Sequence, residues 1–175
     1  TIVHPDTPNF FNETDHKYSA VLNNGCYEWV TRSVRDWRSA MFPEEQLVKP
    51  YQYVNTGFII ANKSHKPFFN EVKELYLTQG EEIKVHRDRI KASTGQTIVN
   101  FMLRKHNIEV NLLPEAYNLQ DLFRKNLLHI PGHSWFSDEL HFLQAGWVYH
   151  FNAIPRNPRD VAYWMERTYK HLYGK

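Results

Sequence analysis

The chain has 175 residues, of which 42% are hydrophobic and 15% aromatic, and it carries a net charge of +2. That length and apolar share are enough for a core and exclude a disordered chain, while the near-neutral balance excludes a dedicated nucleic-acid binder, which needs a dense basic stripe. A single cysteine, Cys26, excludes an internal disulfide and suits a reducing, cytoplasmic compartment; no apolar run reaches membrane-spanning length. The expectation is one domain over residues 1–175.

Thr1-Ile2-Val3 reads as the end of a β-strand. His4-Pro5-Asp6-Thr7-Pro8 reads as a turn, because each proline fixes φ and disfavours helix before it. Asn9-Phe10-Phe11 is expected to pack inward. Residues 17–22, KYSAVL, form a short strand, followed by turn chemistry at Asn23-Asn24-Gly25. Trp29, Val30, Val34, Trp37 and Met41 recur at helical spacing over 28–41, with Arg32, Arg35 and Arg38 mostly off that face and Pro43 as the stop. Cys26 reads as a small buried residue, since no His–acid partner follows at a nucleophile's spacing.

The stretch 51–62, YQYVNTGFIIAN, is a β-rich run that breaks at Asn55-Thr56-Gly57 and resumes at Phe58. A strand interrupted by Gly is either a kinked buried strand or a bulge where another group approaches the backbone. Ser64 is the expected N-cap and Pro67 the first turn of a helix whose inner stripe is Phe68, Val72, Leu75 and Tyr76, stopped by Gly80. Residues 81–91 are strongly charged and read as an exposed loop or a short helix. Ser93-Thr94-Gly95-Gln96 opens a helix to about His106, with Ile98, Val99, Met102 and Leu103 inside. Gln96 and Asn100 share a face, and two amides there are costly to bury unless something polar meets them. They either cap neighbouring loops or face a ligand.

Residues 108–113 alternate as a strand that ends at Pro114, which sets Tyr117 and Asn118 at its C-terminal end, where ligands of open α/β sheets gather. Residues 121–128 suggest a short helix and 129–139 a loop; His129, His133 and His141 lack a Cys or Glu at a structural-zinc spacing. Residues 146–151, GWVYHF, form the last strand, with His150 near its C-terminal end. Asn157-Pro158 is expected to cap the final helix, whose stripe is Val161, Trp164, Met165, Thr168, Tyr169 and Leu172.

Taken in order, VNTGFIIANKS, TGQTIVNFM and YHFNAIPR resemble the second half of a GT-A-type nucleotide-sugar glycosyltransferase of the glycogenin and galactosyltransferase-like group. The resemblance implies an α/β fold: the C-terminal half of a partial GT-A (Rossmann-like) domain, with the chain starting just after an acidic Asp-x-Asp motif. It implies a hexosyltransferase that uses a nucleotide-sugar donor and Mn²⁺ or Mg²⁺. The acceptor would be a glycan, a lipid or a protein. Asn55, Thr56, Gly57 and Asn100 would shape the donor-sugar pocket and Gln96 would be the catalytic residue beside the sugar. His150 would be a metal ligand, Arg156 would grip the diphosphate, and Tyr117 and Asn118 are further cleft candidates. Without the acidic pair the metal site is incomplete, and this chain alone is expected to be inactive. Gly95 stands where the family carries an Asp, and Ala153 where it carries a Gly. A non-catalytic carbohydrate-binding or scaffold domain with a degenerate site is the other reading. His4 and Asp6 are an alternative pair of metal ligands, set on a proline-stiffened turn.

Overall fold

The computed structural model describes all residues except 24, 26, 92–94, 123–139, 153, 155–159 and 175. The protein is mixed α/β, in two compact units: Phe10–Leu113, and Thr1–Asn9 together with Pro114–Lys175.

The Phe10–Leu113 unit is built on a three-stranded sheet. Strand β2 (Tyr18–Leu22) is central, antiparallel to β3 (Val54–Ile60) and parallel to β4 (Val110–Leu113). Helices α1 (Tyr27–Met41), α2 (Lys66–Ile90) and α3 (Gly95–Lys105) close its core. Val30, Val34 and Trp37 of α1, Phe68 and Ile83 of α2, and Ile98, Phe101 and Met102 of α3 meet Tyr18, Ala20, Tyr53 and Val54. Phe42 and Phe101 stack with centroids 4.7 Å apart and planes 9° from parallel. The helical periodicity therefore places the inner faces of α1 and α3 correctly.

The departures have local causes. Tyr51 and Gln52 belong to a 3-10 turn, Pro50–Gln52, because Pro50 presets φ at its first position; β3 starts only at Val54. The stop expected at Gly80 falls one residue earlier: the backbone leaves helical angles at Gln79 (φ −118°, ψ 19°), and α2 is two helices run together across that kink. Ile83 then enters the core, which gives the charged segment an anchoring face, and Lys91 caps it in the left-handed region at φ 52°. Asn62, not Ser64, caps the preceding turn; its side chain accepts from the Ser64 N–H while the His65 ring accepts from the Asn62 N–H. Phe10 and Phe11 do not pack inward together. Phe11 is 67% exposed, and only Phe10 is half-covered, edge-on to Phe58 at 5.2 Å. On β4, Val110 packs against the core, Leu112 faces out at 46% exposure and Leu113 is buried.

In the other unit β1 (Ile2–Val3) pairs antiparallel with β5 (Val148–Tyr149), Ile2 opposite Tyr149 and Val3 opposite Val148. Helix α4 (Val161–Tyr173) is capped by Asp160, whose side chain accepts from the Tyr163 N–H, and ends on Gly174 at φ 68°. Trp164 and Thr168 are its buried residues, while Tyr169 stays 48% exposed. Asn157-Pro158 lies outside the described residues, as do residues 123–139. Tyr149 donates to the carbonyls of Leu143 (3.0 Å) and Gly146 (2.8 Å), and burial pushes its phenol up to about 12. No described helix is long and apolar enough to cross a membrane.

Candidate functional site

Within the Phe10–Leu113 unit four amide side chains gather around the start of β3. Opposite β2 the register slips: Ala20 pairs with Ile59, yet Leu22 pairs with Val54, so the stretch at Asn55-Thr56-Gly57-Phe58 carries extra residues. The Gly-centred break therefore lies inside a strand, as an irregularity that frees backbone groups from the ladder.

Side chains meet backbone groups both on the outer edge of β3 and at the irregularity. Asn100, from the middle of α3, accepts from the Val54 N–H at 2.8 Å and donates to the Val54 carbonyl at 2.9 Å. Its amide thus pairs with Val54 as a neighbouring strand's peptide would, and its nitrogen also reaches the Gln96 carbonyl at 2.8 Å. The Asn55 Oδ1 accepts from the Gly57 N–H at 2.8 Å and closes the turn of the break. Gln96 Oε1 accepts from the Thr56 N–H at 3.3 Å. Asn55 Nδ2 and Gln96 Nε2 both donate to one atom, Asn23 Oδ1, each at 3.2 Å. Beneath them Tyr53 Oη and Thr97 Oγ1 share a 2.7 Å bond in the core.

Asn55, Thr56, Gly57, Gln96 and Asn100 are therefore brought together. Burial divides them: Asn55 is 3% exposed and Asn100 2%, whereas Thr56 and Gln96 are half-buried and Gly57 is exposed. Asn100 spends its amide on the chain itself. Thr56, Gly57 and Gln96 are the members that reach the surface. Asn23 completes the group and was not singled out from sequence. Its signal was position, since it directly follows β2, and Asn-Asn-Gly was read there as turn chemistry alone. Its Nδ2 has no hydrogen-bond partner among the described residues. A Cβ at Gly95 would meet only Tyr76 Oη, at 3.6 Å, so no steric demand requires glycine at that helix start.

In the other unit, continuing the β1–β5 register by one residue sets Thr1 across from His150. The backbone N–H of His150 donates to the Leu119 carbonyl at 3.0 Å, and its Nδ1 lies 3.2 Å from Asn118 Oδ1. In either tautomer Nδ1 is engaged with Asn118, which leaves Nε2 as the ring nitrogen for a cation. Burial holds the imidazole below its usual pKa, and the Thr1 amino group adds to the shift. Tyr117 and Asn118 occupy the 3-10 turn Glu115–Asn118 and are 5% and 0% exposed. Arg156 lies outside the described residues. His4 Nδ1 accepts from the Asp6 N–H at 3.1 Å, which turns that ring nitrogen inward to the turn. Among the described residues no group of three or more His, Cys, Asp or Glu side chains is placed to hold a metal.

No protein-family model, no curated protein and no solved structure matches the chain.

Proposed function

We propose that the protein transfers a hexose from a nucleotide-sugar donor to a glycan, lipid or protein acceptor, on a partial GT-A fold. The observation that carries this reading is the convergence of Asn55 and Gln96 on Asn23 Oδ1 beside the irregularity in β3. Planar amides held by one another are stiff, and a stiff set of donors and acceptors distinguishes sugar hydroxyls by geometry. In this reading Thr56, Gly57 and Gln96 face the sugar, and Gly57 permits close approach to the backbone. Asn55 and Asn100 are positioning residues beneath them. His150 would supply one nitrogen, Nε2, to Mn²⁺ or Mg²⁺, and Arg156 would pair with the diphosphate. When bound, the cation would neutralise charge on the leaving diphosphate. A single imidazole is an incomplete site, since Mg²⁺ and Mn²⁺ favour carboxylate oxygens beside it.

A second reading, a non-catalytic carbohydrate-binding or scaffold domain, is favoured by Asn100, whose three hydrogen bonds all return to the chain. Gly95 in place of the family's Asp points the same way. The test is Mn²⁺-dependent release of nucleoside diphosphate from a panel of nucleotide-sugars, using the longest natural chain that contains these residues. Turnover that Gln96→Ala abolishes supports transfer. Saccharide binding without turnover across the panel supports the second reading and removes the first.

A further inference from the structure

A hollow of about 480 Å³ opens on the Phe10–Leu113 unit, lined among others by Tyr51, Gln52, Arg104, Asn107, Val110 and Leu112. Its volume falls within the range of small-molecule sites. Three features set its chemistry. The first is Arg104, half-buried, whose Nη1 donates to Gln52 Oε1 and Nη2 to Gln46 Oε1, both at 3.3 Å. Both partners are neutral, and no carboxylate among the described residues lies within ion-pair distance of it. The fork is oriented and its charge uncompensated. The second is Tyr51, 61% exposed, with Lys49 Nζ 5.6 Å from the ring centroid, so a second cation stands at the same rim. The third is an apolar wall at Leu112, 46% exposed, beside the polar side chains of Gln52 and Asn107.

A guanidinium fork matches a carboxylate's two oxygens, an exposed aromatic ring packs against the C–H face of a pyranose, and amides match hydroxyls. We propose that this hollow binds a carboxylate-bearing saccharide of the uronic-acid kind. The carboxylate pairs with Arg104, the ring lies against Tyr51 and Leu112, and hydroxyls meet Gln52 and Asn107. The inference does not rest on glycosyl transfer. Of the amide group around β3 only Asn100 borders the hollow, so either proposal can fail alone.

The experiment is an NMR titration of the chain with D-glucuronate, with glucose, acetate and inorganic phosphate as separate probes at matched ionic strength. Glucuronate is expected to saturate, shifting the Arg104 Nε–H, the Gln52 side-chain amide and the Tyr51 ring. Arg104→Gln should weaken it about tenfold or more, the scale of one lost charge-assisted hydrogen bond. Arg104→Lys should recover only part, because it keeps charge and loses the fork. Tyr51→Ala removes an exposed ring that the fold does not need, and it too should lower affinity. Glucose binding as tightly as glucuronate would overturn the acidic assignment. Acetate or phosphate matching glucuronate would reduce the hollow to an adventitious ion site. An absence of saturable shifts at tens of millimolar glucuronate would remove the proposal.

Discussion

Asn100→Ala removes the side chain that stands in for a strand at Val54. The Val54 N–H, buried and bonded to Asn100 Oδ1 at 2.8 Å, loses its acceptor, and the Val54 carbonyl loses its 2.9 Å donor. An orphaned buried N–H costs about 1–3 kcal/mol, and the lost bond at the carbonyl adds about 1 kcal/mol. Alanine returns roughly 0.6 kcal/mol through its better helix propensity in α3. The net loss is then about 1.4–3.4 kcal/mol, which corresponds to about tenfold to three-hundredfold in an opening equilibrium. Amide hydrogen exchange at Val54 is the direct assay, because it reads this one N–H whatever the rest of the chain does. Asn100→Asp is the control. At neutral pH it keeps the acceptor but sets a charge against the carbonyls of Val54 and Gln96. Acidification restores a donor, so Asp should gain on Ala as pH falls. Unchanged Val54 exchange in Asn100→Ala, with less than about 0.5 kcal/mol lost in unfolding, would refute the strand-partner role.

His150 has its folded pKa held below the usual histidine value by burial, with the Thr1 amino group second. Unfolded, it takes its proton near pH 6.5; folded, it resists until lower pH, so the stability it contributes is present above about 6.5 and is lost as pH falls through the folded value. The His150 ring-proton titration should therefore have a midpoint below 6.5. A midpoint at or above about 6.5 contradicts the burial. Gly146→Ala sets a Cβ 3.0 Å from Leu119 Cβ and 3.1 Å from the Ala116 carbonyl. Overpacking of that kind costs about 1–3 kcal/mol, to be read by urea unfolding; a change within about 0.5 kcal/mol would mean that the Ala116–Leu119 turn yields freely. Gly95→Asp meets no backbone, and a carboxylate in the first turn of α3 should stabilise by about 0.3–1 kcal/mol at low salt. Loss of stability in that variant would contradict the open surroundings of Gly95.

What could be read from the chain divides along physical lines. Periodicity located α1 and α3, and a Gly beside Asn and Thr located the irregularity in β3, because both signals are local. The limits of β3 were missed at Tyr51 and Gln52, where a preceding proline overrode β-propensity. Gly80 marked the kink at Gln79, while the second helix beyond it, anchored by Ile83 in the core, was hidden in a charged and weakly periodic segment. Asn23 was hidden because its importance is tertiary: one oxygen accepts from two amides that stand 32 and 73 residues away in sequence. The same non-locality separates Asn55 and Asn100, buried and bonded within the chain, from Thr56, Gly57 and Gln96, which reach solvent.

The central claim is that the amide group around β3 recognises a donor sugar. Its most direct test follows the side-chain amide resonances of Asn23, Asn55, Gln96 and Asn100 while a panel of nucleotide-sugars is added with Mn²⁺. Saturable shifts at Gln96 and Asn55 for one member of the panel, absent in Gln96→Ala and not produced by the free nucleotide, are the predicted result. Amides that stay fixed for every nucleotide-sugar, in a chain whose Val54 N–H is still protected, would contradict it.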